Sequence, residues 1–343
     1  MIDVGAIAQA MEEARRNQGF VSIKGYKSQE SVEENEYCLF LKPELTGLKD
    51  RFPAVAEIVF ERLCAFYQRV VAATVMEASY IARHHLMEQH YGVINAISRE
   101  GVSAMGQTGR QKLSELFRND LATGLEVLGA HQFLERYTYF TAQALAVFYD
   151  NLGNIKLAPG THGVRAVVRG SPVLVLNGFH PEQLERYTRP GSVIVAFTLR
   201  TTLSWRDLRT KMTGVTNPAK ALPESIRGTL FALKQKLGLP EVSSGTNGVH
   251  VSAGPVEGMA EICRYMSDLN KGQLVTPPNT SFGKLLAQVT GRSDLVSYFA
   301  TNPNVDVDGK NISVFVLTEE LDAKEACNRV QSLASLNRAS GHV

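Results

Sequence analysis

Hydrophobic residues along this chain alternate between helix-like and strand-like spacing. Val4, Ile7, Ala8 and Met11 fall near one face of a helix over residues 3–18, with Gly19 as its stop. A polar connector, KSQESVEENE, leads into YCLFLKPEL. This run predicts a short buried strand ending at Lys42-Pro43, because Pro43 has no N–H to give a ladder. In PAVAEIVFERLCAFYQR, Val55, Ile58, Val59, Leu63 and Phe66 have helical spacing. VVAATVMEASYI follows as a strand and ARHHLMEQHYGVINAIS as a helix. Residues 36–98 thus predict strand, helix, strand, helix.

The middle of the chain predicts two amphipathic helices, RQKLSELFRNDLATGLEVLG and HQFLERYTYFTAQALAVFYDNLG. RAVVRGSPVLVLNGF is expected to form a strand or hairpin, HPEQLERYTRPG a short helix and SVIVAFTLR a strand. SWRDLRTKMTG has a serine cap and stops at Gly214. A long segment rich in Pro, Gly and Ser runs from 215 to 254, and a helix follows near 256–267. VTPPNTS marks a break, after which SFGKLLAQVTG, DLVSYFA and DAKEACNRVQSLASL predict helices and NISVFVL a strand.

Composition narrows the class. With 343 residues, 44% hydrophobic and 20% charged, the chain can build a sizeable core and two domains. A net charge of +2 gives no whole-molecule attraction to nucleic acid or to an anionic membrane. No run approaches the length of a membrane span, and the N-terminus does not read as a signal peptide. The four cysteines, Cys38, Cys64, Cys263 and Cys327, form no CxxC pair and predict reduced, buried thiols in a cytoplasmic protein. His84, His85 and His90 lack the i, i+4 spacing that pairs imidazoles on a helix, so no metal is expected there.

The candidate chemistry gathers at TNGVHVSAG, residues 246–254. A neutral imidazole is a competent nucleophile near neutral pH when another group orients it. Glu261 lies eleven residues after His250 and can fold back towards the ring from the following helix. Ser252 can add a short hydrogen bond. Upstream, GVTNPAKALPESIRG offers Thr216, Asn217, Lys220 and Arg227 on a proline-punctuated loop, and an arginine can grip phosphate through two parallel bonds. Lys42 is a second point charge. No G-x-x-x-x-G-K-[ST] sequence is present, so a P-loop is excluded.

Three pieces together resemble the nucleoside diphosphate kinase family: LKPEL at 41–45, TNPAKALPESIR at 216–227 and NGVHVSAGPVEGMAEI at 247–262. The family carries K-P-D, then T-[DN]-P-x-x-x-x-P-x-[ST]-I-R, then N-x-x-H-G-S-D followed by a glutamate. The order and the internal spacing of the two later pieces match, while Val251, Ala253 and Gly254 depart from the family's pattern. The resemblance implies an α+β protein with a ferredoxin-like βαββαβ core and helices on one face. That core spans 36–100 and 191–270. Residues 1–35 form an N-terminal helix and connector, 101–190 a large, mostly helical insertion and 271–343 a C-terminal extension.

By the same resemblance His250 is the phosphate-accepting nucleophile, Glu261 orients it and Ser252 assists. Lys42, Tyr91, Arg209, Thr216, Arg227 and Asn247 are the nucleotide-binding residues. The implied reaction moves the γ-phosphate of a nucleoside triphosphate through a phosphohistidine to a nucleoside diphosphate. Mg²⁺ is held through the nucleotide phosphates, with no metal ligand from the protein. A homo-oligomer is implied, with no membrane and no nucleic-acid partner. Two alternatives stand beside it: a nucleotide-binding protein with little turnover, acting as a sensor or assembly part, and a transferase with a different acceptor.

Overall fold

The structure, a computed structural model, describes residues 2–29, 34–239, 241–307 and 309–339, and the side chains of all of these but 334–339. Residues 30–33 of the polar connector lie outside the described residues. The protein mixes α and β elements in two compact units, one formed by Met1–Tyr80 with Pro190–Val343, the other by Ile81–Arg189. Strands are numbered β1 Phe20–Lys24, β2 Asn35–Leu41, β3 Arg69–Glu77, β4 Glu126–Gly129, β5 Ile155–Ala158, β6 Thr161–Val168, β7 Ser171–Leu176, β8 Val193–Thr201, β9 Val249–Val251, β10 Asn304–Val307 and β11 Lys310–Ser313. Among the described residues no helix is long and apolar enough to cross a membrane.

In the first unit a five-stranded sheet runs β1-β3-β8-β2-β9, with every neighbouring pair antiparallel. β2 is buried at all seven positions and β8 at all nine. Such strands read as continuous apolar runs because both faces are covered. On one face Leu39, Val75, Phe197 and Val249 join Ile7, Val59 and Leu230 from the helices Val4–Asn17, Phe52–Ala65 and Ile226–Leu237. On the other lies the helix Pro255–Met266, whose Tyr265 ring meets Phe40 edge-on at 5.4 Å. Thr74 Oγ1 donates to the Tyr265 carbonyl at 2.8 Å. The expectation of helices on one face is therefore corrected: both faces are covered, because β2 alternates apolar side chains to each.

Several boundaries also differ from the sequence expectation. The segment 215–254 contains the helix Ile226–Leu237, started by Ser225, whose side chain accepts from Gly228 N, and stopped by Gly238 at φ +69°. β9 closes the same segment. NISVFVL is split: β11 ends at Ser313, whose side chain caps the helix Val314–Leu317 and so turns the chain out of the strand. The short strand β1 escaped notice because its burial pattern is mixed and its length only five residues.

The C-terminal segment packs on the Pro255 helix. Phe282, Leu286, Val296, Phe299 and Val330 enclose Val256 and Met259. A buried ionic knot ties this segment to the sheet. Arg200 Nε on β8 donates to Glu36 Oε1 on β2 at 2.8 Å. Tyr26 Oη donates to Glu36 Oε2 at 2.8 Å and Ser281 Oγ to Glu36 Oε1 at 2.7 Å. Glu36 is 3% exposed, so its charge depends on these partners rather than on water.

The second unit begins at Ile81, whereas the insertion was expected at 101–190, and it combines helices with a sheet. It carries a four-stranded sheet, β4-β7-β6-β5, with β4 parallel to β7 and the rest antiparallel. β4 occupies EVLG, where a helix was expected; Gly124 at φ +96° ends the helical run just before it. The β6–β7 hairpin turns at Arg169 and Gly170, both with positive φ. The aromatic run 133–149 is packed helix as expected, in two pieces, Ala130–Arg136 and Ala142–Asn151, with Phe133 fully buried.

Candidate active site

His250 sits at the centre of β9, an edge strand paired only with β2 among the described residues. Period-two alternation sends Val249 and Val251 into the apolar core and the imidazole to the opposite face. There the ring stacks on Phe40, its cross-strand partner, at 4.7 Å between centroids and 22° between planes. The Pro255 helix returns over this face and delivers Glu261, which is 1% exposed. Glu261 Oε1 lies 2.7 Å from His250 Nε2. Its other oxygen accepts from Ser252 Oγ at 2.6 Å. Ser252 Oγ in turn accepts from Cys38 N at 3.0 Å. Each carboxylate oxygen thus has a defined partner, which fixes the imidazole's Nε2 edge towards Glu261.

The loop after β9 is held as firmly. Trp205, fully buried, donates Nε1–H to the Ser252 carbonyl at 3.0 Å. Ala253 N donates to Glu257 Oε2 at 2.5 Å. Glu257 and Glu261 are four apart on one helix, so they share a face. Burial first, and the neighbouring Glu261 carboxylate second, push the Glu257 carboxyl up to about 8.

A carboxyl raised in the folded state contributes stability that is fully present below its unfolded pKa and is lost as pH rises through the folded value. Thermal melts should therefore show stability falling towards and through about pH 8, and Glu257→Gln should flatten that fall. A variant melting profile as steep as the wild type's across that range would contradict the assignment.

Lys42 and Asn247 meet at the end of β2 nearest His250. Lys42 Nζ donates to Asn247 Oδ1 at 2.8 Å, and both residues are buried. Asn247 Nδ2 donates to the Thr216 carbonyl at 3.2 Å, so the Thr216 loop lies against the same end of the sheet. Arg227, also buried, donates to the carbonyls of Gly214 at 2.8 Å and Val249 at 2.9 Å. It clamps the Gly214 turn to β9 beside His250. Gly248, at φ +80°, gives the chain its entry into β9; its N–H donates to Glu44 Oε1 at 2.9 Å.

Arg209 and Tyr91, two further sequence-derived candidates, are engaged by other side chains. Arg209 pairs with Glu319 at 2.6 Å and Glu320 at 3.0 Å. Tyr91 belongs to the second unit, in the break between the helices Leu86–His90 and Gly92–Glu100. Its hydroxyl lies 3.2 Å from that of Tyr187, and its ring meets His180 edge-on at 6.1 Å. Sequence reasoning missed Phe40, Trp205 and Glu257. Only Glu257 left a usable signal, its i, i+4 spacing to Glu261. The four cysteines are free; Cys38 and Cys327 are buried, but Cys64 is exposed, which corrects the expectation that all four are buried.

Comparison with known proteins finds no matching family model and no matching curated protein.

Proposed function

We propose that the protein is a phosphotransferase of the nucleoside diphosphate kinase type, working through a phosphohistidine at His250. The observation that carries this reading is the bond from His250 Nε2 to a buried carboxylate that is itself locked by Ser252. A ring so oriented presents Nδ1 as its nucleophilic nitrogen, and the carboxylate stabilises the positive charge that grows on the ring during attack. The topology supports the same reading. Taking β2, β3, β8 and β9 as the four strands of a βαββαβ unit, the sheet order is second, third, first, fourth, with the two crossover helices Phe52–Ala65 and Ile226–Leu237 on one face. This order is the one a ferredoxin-like core would have, which supports the reading.

In the first half-reaction Nδ1 forms a bond to the γ-phosphorus while the bond from that phosphorus to the bridging oxygen breaks. The nucleoside diphosphate leaves with the electron pair. In the second, a terminal oxygen of another nucleoside diphosphate attacks the phosphohistidine and the ring departs neutral. Lys42 and Asn247, bonded to each other at the sheet end with the Thr216 loop beside them, would meet phosphate or sugar. Glu261 and Glu44 are already engaged by protein donors, so Mg²⁺ fits here as an ion carried by the nucleotide phosphates, where it would offset their charge. Catalysis is then mainly positioning and charge stabilisation.

A binder with little turnover is the second reading. It is favoured by Arg227, whose guanidinium holds two backbone carbonyls. The experiment that separates the readings is a chase. Protein loaded from γ-labelled ATP is mixed with several nucleoside diphosphates, and the products are resolved. Label appearing in nucleoside triphosphates supports transfer. Label that no nucleoside diphosphate discharges points to another acceptor, and nucleotide binding without any label leaves the binder.

A further inference from the structure

The C-terminal segment makes a second connection to the His250 loop, apart from its packing on the Pro255 helix. Thr318–Glu320 follow the helix Val314–Leu317 and lie against residues 253–254. Glu320 N donates to the Ala253 carbonyl at 2.9 Å. The Thr318 carbonyl oxygen sits only 2.4 Å from where a Cβ on Gly254 would be, so the two backbones touch at a position where a side chain would not fit. Both carboxylates of this segment converge on one nitrogen: Arg209 Nη1 donates to Glu319 Oε1 at 2.6 Å and to Glu320 Oε1 at 3.0 Å. Glu320 reaches it from φ +59°, a left-handed conformation that a residue with a side chain rarely adopts.

The same guanidinium acts on Glu257, whose oxygen holds Ala253 N. Arg209 is therefore a cation beside the loop that follows the proposed nucleophile. A guanidinium fits carboxylate and phosphate through the same fork of N–H groups, so the two compete for it. Side chains of Glu319 and Glu320 are 42% and 40% exposed, free to swing into water when displaced. Their backbone need not move, because Val314 is fully buried in the core of the C-terminal segment.

We propose that Thr318–Glu320 is an autoinhibitory strap whose two carboxylates occupy Arg209 and give way when a nucleotide phosphate takes the guanidinium. The inference rests on the reading of the His250 loop as a phosphate-handling site. Half-exposed ion pairs are individually weak, which is what a displaceable contact requires.

The test is calorimetric binding of MgATP to the full chain, wild type against the double variant Glu319→Gln, Glu320→Gln. The dissociation constant is expected to fall about three- to tenfold, and the same substitutions should change nothing once Arg209→Gln is present. An unchanged constant overturns the strap, as does equal tightening with and without Arg209. Labelling of His250 from γ-labelled ATP is followed in parallel. Tighter MgATP binding without any label retains the strap and removes the transfer reading. Label formed with identical MgATP affinity in both proteins removes the strap alone, and no MgATP binding by either removes both. Should the double variant fail to fold, the two single variants carry the same comparison.

Discussion

Glu261→Gln should slow phosphate loading of His250 by about 10²- to 10⁴-fold while leaving the fold intact, by analogy with carboxylate-to-amide changes behind a catalytic histidine. The argument starts from geometry. Glutamine fills the same space and can still face both His250 Nε2 and Ser252 Oγ, 2.7 and 2.6 Å from the present oxygens. Two things change. The negative charge that stabilises the ring during attack is gone, in a site where Glu261 is 1% exposed and water cannot replace it. The amide can also offer an N–H to Nε2, which turns the ring to the other tautomer and protonates the attacking nitrogen. Single-turnover loading from γ-labelled ATP measures this directly, with near-normal MgATP affinity expected. A variant that loads at the wild-type rate would mean that Glu261 only fills space.

Arg200→Ala should be the most destabilising single change at the buried ionic knot, at about 3–5 kcal/mol. Removing the guanidinium leaves Glu36 in the sheet at 3% exposure, with Tyr26 and Ser281 as its partners but no countercharge. Glu36 and Arg200 join β2 to β8, and Ser281 opens the helix Ser281–Thr290, so the loss loosens sheet and C-terminal segment together. Replacing both members, Arg200→Met with Glu36→Leu, should cost less than Arg200→Ala, because no charge is then left buried. Urea unfolding followed by emission of Trp205, the only tryptophan and fully buried, reports the change in the unit that contains the knot. A double variant less stable than Arg200→Ala would show that hydrogen bonding to Glu36, not its charge, dominates.

The parts of this fold that periodicity reveals are those whose burial is one-sided or complete. β2, β3, β8 and the helix Phe52–Ala65 were legible because their apolar spacing reports the faces they bury. β1 and β4 were not; each is short, and only its pairing partner makes it a strand. The helix Ile226–Leu237 was hidden inside a stretch that Pro, Gly and Ser marked as loop, though Ser225 and Gly238 are its cap and its stop. At the site, His250, Ser252 and Glu261 were legible as a spacing from the end of a loop into the following helix, and the structure brings them within hydrogen-bonding distance. Lys42 and Asn247 come together because β2 pairs with β9, a long-range fact that no local pattern carries. Phe40 was unforeseeable for the same reason: the residue stacked on His250 is set by cross-strand register. Arg209 was expected to face phosphate, and its engagement by Glu319 and Glu320 depends on the path of a segment more than a hundred residues further along the chain.

The measurement that tests the central claim most directly is labelling of the purified protein with γ-labelled ATP and Mg²⁺, compared with His250→Ala, followed by mapping of the labelled residue. The account predicts an acid-labile label on the wild type, located at His250, and none on the variant. No label on the wild type, or equal label on His250→Ala, would contradict it.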